Sequence, residues 1–415
     1  MMRRSIVLMV LFALAAGAQQ PQQPFTLRVD TQLVVQTVVV RDRDGKPMEG
    51  LTAKDFVVTE DNVPQTISVF EFQKFEEAPK PAPAATPAPT TPPAPTVQPL
   101  IEKQITPPAP GDARYQNRRL LTLFFDMANT PPADQFRAFD AAVKFLDKQM
   151  APADLISIMV YSSGVVRVLQ DFTDDRGKLY ETLSTLMYPD EEDIAELQTG
   201  GAFGQNGGEF NLFNTDRQLA ALQTAVNMLR GLNEQKSLVY FSSGLRLNGT
   251  DNQAQLRATI NAAIRANVAF YPVDARGLVA MAPLGDAARP SPGGAGVYTG
   301  STAMAMMAGF QRSQDTLYAL ASDTGGKAML DNNDLVAGIV QAQQAITSYY
   351  IIGYYPTNKN LDGKFRRVKI SLIEFPNAKL DYRQGYFGGK VFSKFTAADK
   401  ERQLEEALML GDPIT

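Results

Sequence analysis

RRLLTLFFDMANT, residues 118–130, is an apolar run that ends in a carboxylate, Asp126, with Asn129 and Thr130 just beyond it. A run apolar on both faces fits a strand buried in a parallel sheet with helices on either side. Asp126 then stands at the carboxyl end of that strand. In open α/β sheets this edge binds ligands, because the outgoing loops converge there on a crevice. The next segment, 131–150, opens with prolines and carries Phe136, Phe139, Val143 and Leu146 at helical spacing, which predicts a helix.

The alternation continues downstream. Strands are expected over 154–161, 165–169, 237–241, 268–273 and 327–330, and helices over 176–186, 217–232, 252–266, 313–322 and 335–347. Such alternation implies a doubly wound, mostly parallel α/β sheet. Two long connections interrupt it: 188–214 is acidic and then Gly-rich, and 276–311 is rich in Gly, Pro and Met. Connections of this length inside a domain are either functional or without fixed structure. Both are expected on the sheet edge that bears Asp126, where Met281, Met304, Met306 and Met307 would offer an adaptable apolar surface.

The flanks differ in character. Residues 25–75 hold short β-branched runs, with Asp44-Gly45 as a hairpin turn. Asp42 to Gly45 has the look of a calcium loop, but Ala53 stands where the bidentate Glu is required, so a turn is the reading. Residues 78–111 form a Pro/Ala/Thr tract with few apolar side chains, expected to be an extended, exposed linker. Residues 348–390 return to β character, and 395–411 read as a short charged helix. The flanking strands either complete one Ig-like sandwich, with the α/β domain of 116–347 inserted in it, or form two separate β modules.

Composition narrows the function. The chain has 415 residues, 40 basic and 44 acidic, with a net charge of -4 and no basic tract, which argues against nucleic acid as a partner. It contains no Cys, His or Trp, so disulfides, thiolate nucleophiles, His bases and the commonest zinc and haem ligands are excluded. Arg3 and Arg4 precede an apolar stretch closing on Ala16-Gly17-Ala18, which reads as an export signal over 1–18. The alternative is an uncleaved anchor. No later segment reaches the roughly 20 apolar residues of a transmembrane helix. The expected location is therefore periplasmic or extracellular, with no integral membrane segment after cleavage. No Gly-Lys pair is followed by Ser or Thr, so there is no phosphate-binding P-loop. Ser162, Ser163, Ser242 and Ser243 lie near strand ends with no His to activate them, and the protein is not expected to be an enzyme. An unrecognised hydrolase is the runner-up, and a Lys or second carboxylate within hydrogen-bond reach of Ser243 or Asp126 would favour it.

Several stretches together carry a resemblance: FFDMANT, DLISIMVYSSGVVRVLQDFT, NTDRQLAALQTAV, LVYFSSG, and the flanking VVVRDRDGKPMEGLTAKDFVVTED and YYIIGYYPTN. The segment 118–347 resembles a von Willebrand factor A (VWA) domain, and the whole layout resembles the acidobacterial family of secreted VWFA-related proteins. The resemblance implies a metal-dependent adhesion site, in which oxygen ligands hold Mg2+ and leave a position open to a partner's carboxylate. Such domains present DxSxS, a Thr from a second loop and an Asp after a middle strand. Here the first motif reads Asp126-Met127-Ala128-Asn129-Thr130, the second-loop Thr falls at Thr215, and the Asp-Gly position reads Ser243-Gly244. The implied metal ligands are thus Asp126, Thr130, Thr215 and Ser243, with one hydroxyl and one carboxylate missing. A weak Mg2+ site follows, since lost orienting partners cost about 10- to 100-fold in affinity. Asn129 would partly replace the missing oxygen; the alternative is that Asp126 only caps the following helix. The implied function is a protein-binding or adhesion module that meets a protein partner through the sheet-end face. A metal-free structural scaffold is the competing reading.

Overall fold

The computed structural model describes residues 33–75, 104–108, 114–187, 208–247, 249–278 and 300–394, with Ala397, Lys400 and Leu404 beyond them. The export signal, most of the Pro-rich tract, residues 188–207, Met281 and nearly all of the terminal helix lie outside the described residues. Strand β5, Arg119–Asp126, is buried at every position. It is the middle of a five-stranded sheet of order β7-β6-β5-β8-β9. The others are β6 (Asp154–Ser162), β7 (Val165–Thr173), β8 (Lys236–Ser242) and β9 (Val268–Asp274). All neighbouring pairs are parallel except the β6–β7 hairpin.

Side chains alternate across β5 and feed two cores. Leu120 and Phe124 pack with Leu219, Leu222, Val226, Ile260 and Leu317 on one face. Leu121, Leu123 and Phe125 pack with Phe139, Phe145, Leu183 and Ile339 on the other. The helices involved are α1 (Pro132–Lys148), α2 (Arg176–Met187), α3 (Gly208–Leu229), α4 (Gly249–Arg265), α5 (Ser301–Thr324) and α6 (Val336–Ala345). With helices on both faces, the strand ends are left to form the site.

Two expectations are corrected here. Helix α3 starts at Gly208 rather than Arg217, and α5 at Ser301 rather than Ser313, so the Met-rich segment 304–307 is helix and not loop. Segment 327–330 makes no strand; only Met329 bridges to Val273, because the chain merely brushes the free edge of β9. Near its end the Pro-rich tract touches the α/β domain through one buried side chain, while Gln104, Thr106 and Pro107 are exposed as expected. Ile105 is buried in the core, Tyr115 donates its hydroxyl to the Thr106 carbonyl at 2.7 Å, and Thr106 N–H donates to Asp171 at 3.3 Å.

The flanks interleave. Strands β1 (Val34–Arg41), β2 (Phe56–Glu60), β3 (Val63–Gln65) and β4 (Ile67–Lys74) combine with β10 (Ser348–Tyr354), β11 (Phe365–Leu372), β12 (Lys379–Asp381) and β13 (Gly385–Phe387). They form two antiparallel sheets, β12-β1-β10-β4 and β13-β11-β2-β3, that share one core around Val38, Phe56, Val58, Tyr350, Ile352 and Ile370. The hairpin turn after β1 forms as read, with the Lys46 amide on Asp42 Oδ1 at 2.8 Å and Gly45 at φ 84°. The chain leaves the sandwich at Phe75 and returns at Thr347, whose carbonyl accepts the Phe75 amide at 3.0 Å. Across the sandwich, buried Glu60 accepts from the hydroxyls of Tyr354 and Tyr386 at 2.9 and 2.8 Å and pairs with Arg366 at 3.4 Å.

Candidate functional site at the carboxyl edge of the sheet

The chain turns immediately after β5. The amides of Met127 and Ala128 both donate to the Tyr161 carbonyl of β6, at 2.9 and 3.1 Å. Gln135, from the first turn of α1, donates back to the carbonyls of Met127 and Thr130 at 3.0 and 2.7 Å. These bonds fix the loop without using the Asp126 carboxylate.

That carboxylate is 1% exposed, and its partners are all neutral. Oδ1 accepts the Asn129 backbone amide and its Nδ2, both at 3.0 Å. Oδ2 accepts Asn129 Nδ2 at 3.2 Å, Gln218 Nε2 at 2.6 Å and the Tyr240 hydroxyl at 3.0 Å. Among the described residues no Lys or Arg forms an ion pair with it. Burial pushes the Asp126 carboxyl above its ordinary range, and the bonds from Asn129, Tyr240 and Gln218 offset only part of that rise. Burial, and then the Asp126 charge, hold the Tyr240 phenol well above its own range, so it stays a donor. A desolvated carboxylate without a positive neighbour is one whose charged form a cation would stabilise.

The other carboxylate buried at this edge is already neutralised. Asp274, at the end of β9, holds Arg276 in a fork, Nε to Oδ1 at 2.8 Å and Nη2 to Oδ2 at 2.7 Å. The guanidinium lies 4.1 Å from the centre of the Phe310 ring and reaches Ser313 Oγ at 3.0 Å. Gly244, at φ 97°, abuts this group, and a Cβ there would lie 2.8 Å from Arg276 Nη2 and from Ser313 Oγ. Packing and backbone together therefore require a glycine after Ser243.

The four residues implied as metal ligands gather at this edge but keep different company. Thr130 is 7% exposed, and its Oγ1 is buried without a hydrogen-bond partner. Thr215 lies within α3 and donates its hydroxyl to the Arg246 carbonyl at 2.8 Å. Ser243 donates to Asp134 Oδ2 at 2.8 Å, so a second carboxylate does lie within reach of that serine. Ala128 contributes only a methyl, packed on the core. Asp126 does not cap α1: the one backbone amide it accepts belongs to Asn129, ahead of the helix start at Pro132.

These donors fit a hard cation in part. Among the described residues Asp126 has no counter-charge, and Thr130 has a buried oxygen to give. Turning the Asn129 carboxamide over would replace its N–H donors with a further oxygen. Against a tight site, the Gln218 and Asn129 amides already occupy the carboxylate. Among the described residues no group of three or more His, Cys, Asp or Glu is placed to hold a metal. Sequence reading missed Gln218, Tyr240, Asp134 and the Asp274–Arg276 pair. Only Asp274 carried a signal, since it closes an apolar strand as Asp126 does.

No family model matches the chain, and no curated protein sequence matches it. The crystal structure of an aerotolerance-related membrane protein from Bacteroides fragilis NCTC 9343, with multiple mutations to serines, is similar at 12% identity and a TM-score of 0.35, over 55% of this chain and 98% of that one. Independently of that likeness, the mostly parallel five-stranded sheet with helices on both faces is the architecture that the resemblance to A domains implies.

Proposed function

We propose that the protein is an exported VWA-type binding module that engages a protein partner through the sheet edge bearing Asp126, with a weak divalent-cation site there. The observation that carries this reading is that Asp126 is buried with no ion-pair partner among the described residues, and that Thr130, four residues on, has a buried hydroxyl without a hydrogen-bond partner there. Asp126 and Thr130 would hold the ion directly. Ser243 and Thr215 would act at most through their present partners, Asp134 and Arg246. A bound Mg2+ would supply a Lewis-acidic position for a partner's carboxylate. The apolar part of such a contact would come from Phe136, Leu278, Met304, Met306 and Met307, all exposed on segments that leave this edge. Their exposure suits a surface that repacks against its partner. The test is retention of exported proteins on the immobilised chain with magnesium or with EDTA. Retention that survives EDTA, or that is unchanged in Asp126→Ala, would leave the metal-free scaffold as the better account.

A second reading, a hydrolase acting through Ser243, draws on the hydrogen bond to Asp134. A carboxylate alone is a weak base for a serine hydroxyl, and the chain has no His to relay the proton. A fluorophosphonate probe is expected to leave Ser243 unlabelled. Stoichiometric labelling, abolished in Asp134→Asn, would turn the assignment to an enzyme.

A further inference from the structure

A cleft of about 320 Å³ lies between the sandwich and the α/β sheet, beside the amino end of β9 and therefore on the opposite edge from Asp126. Its sandwich wall is the outer face of one sheet. Val35, Thr37 and Val39 of β1 and Tyr349 and Ile351 of β10 line it, while their neighbours Val34, Val38, Val40, Tyr350 and Ile352 turn into the sandwich core. The facing wall is built from the end of α4, the start of β9 and Gln341 of α6. Small-ligand pockets start at about 300 Å³, so the space suits a compact molecule.

The charge on the walls is one-sided. Arg41, Arg265, Lys327 and Arg383 line the cleft, against Asp381 as its carboxylate. Asp381 Oδ2 pairs with Lys327 at 2.7 Å and with Arg41 at 3.6 Å. Arg383 has no carboxylate within ion-pair distance among the described residues; its Nη2 donates to the Val35 carbonyl at 3.1 Å, and its Nε is buried without a partner. The Oε1 atoms of Gln235 and Gln341, which also line the cleft, are buried without partners too. Burial depresses the Arg383 guanidinium to about 10, still charged at neutral pH. Arg383, half-buried with its Nε unpaired, and the two amide oxygens are thus polar groups of one cleft lining whose hydrogen-bonding capacity is unmet, each at a cost in free energy that a ligand would offset.

We propose that this cleft binds a small organic carboxylate that carries hydroxyl or amide hydrogens. The carboxylate sits on Arg383, its N–H or O–H groups donate to Gln235 and Gln341, and its apolar part lies on Val35, Val39 and Ile351. Inorganic phosphate satisfies the charge but not the apolar walls. An organic acid bound here touches both lobes near the two chain crossings at Phe75 and Thr347, and so stiffens the junction between them.

The probes are malate, citrate and N-acetylalanine, with inorganic phosphate at matched ionic strength, titrated into the full chain while the thermal midpoint is followed. At least one organic acid is expected to raise the midpoint saturably, with phosphate giving no more than the ionic-strength control. Arg383→Gln should weaken the apparent affinity roughly tenfold or more, as loss of a charged hydrogen bond does. Lys144→Gln, which removes a charge from an exposed helix face, should not. Thr37→Phe, which fills the cleft and leaves Arg383 in place, should abolish the shift as well, and this decides the matter if the Arg383 variant fails to fold. No shift with any of the three acids, an equal shift with phosphate, or an unchanged shift in Thr37→Phe would overturn the proposal.

Discussion

Glu60→Ala tests whether the two ends of the chain are one structure. Glu60 lies on β2, before the α/β segment, and its partners Tyr354, Arg366 and Tyr386 all come after it. Removing the carboxylate leaves the Arg366 guanidinium, 4% exposed, without its counter-charge, and deprives two buried phenols of their acceptor. Breaking a buried ion pair from one side costs about 3–5 kcal/mol. The 3.4 Å separation alone would place this pair toward the lower end of that range; because the two tyrosine bonds end on the same carboxylate and are lost with it, the middle of the range, about 4 kcal/mol, is expected. Arg366 keeps its bonds to the carbonyls of Asn358 and Asn360, which limits the damage. Glu60→Gln, which retains one acceptor oxygen and the shape, should cost less, about 2 kcal/mol. The assay is urea unfolding followed by far-UV circular dichroism and tyrosine fluorescence, since the chain has no Trp. With a slope of about 2 kcal/mol per molar, the midpoint should fall by about 2 M in the alanine variant. A fall of less than about 0.5 M would refute the reasoning, because the cluster would then be a surface contact rather than the tie across the core.

Two further outcomes follow from buried charges at the amino edge of the sheet. Asp154 accepts Arg119 Nε at 2.6 Å, Gln343 Nε2 at 2.6 Å and the Ala151 amide at 2.7 Å, so Asp154→Ala should destabilise by about 3–5 kcal/mol in the same unfolding assay, and a loss under 1 kcal/mol would contradict it. Lys236 is fully buried, and desolvation lowers its ammonium to about 8. Its folded pKa lies below its unfolded one, so between about pH 8 and 10 the unfolded chain holds the extra proton and stability rises with pH. Relative to Lys236→Met, the wild type should gain about 2 kcal/mol over that window in paired unfolding curves, and parallel pH profiles would refute the assignment.

The central strand was legible because burial on both faces needs an apolar run, and 120–125 is one but for Thr122. Asp126 was legible with it, as the residue where that run stops. The starts of α3 and α5 were not, since Gly208 and Ser301 stand in Gly-rich and Met-rich sequence that carries no apolar period. Phe136 fits the apolar spacing of α1, yet it is 50% exposed; Phe139 and Leu146 are buried as the spacing predicts, and Ala138, Ala141, Ala142 and Phe145 complete the packed face, which spacing alone could not decide. The β character of 348–390 does not reveal that 379–387 holds two short strands, β12 and β13, which join different sheets. The partners of Asp126 were beyond reach for another reason. Gln218 and Tyr240 come from α3 and β8, and only the folded sheet brings them to the carboxylate. The resemblance to A domains pointed to Asp126, but not to the amides and the phenol that hold its carboxylate.

Manganese titration of the full chain, read by loss of the free-ion electron paramagnetic resonance signal, bears most directly on the claim that this edge holds a divalent cation through Asp126 and Thr130. The account predicts one site with a dissociation constant on the order of a millimolar, worth about 4 kcal/mol at the standard state. Binding should be competed by magnesium, lost in Asp126→Ala and weakened about tenfold or more in Thr130→Val. Binding of the same strength in wild type and Asp126→Ala, or no binding up to 10 mM, about ten times that constant, would contradict it.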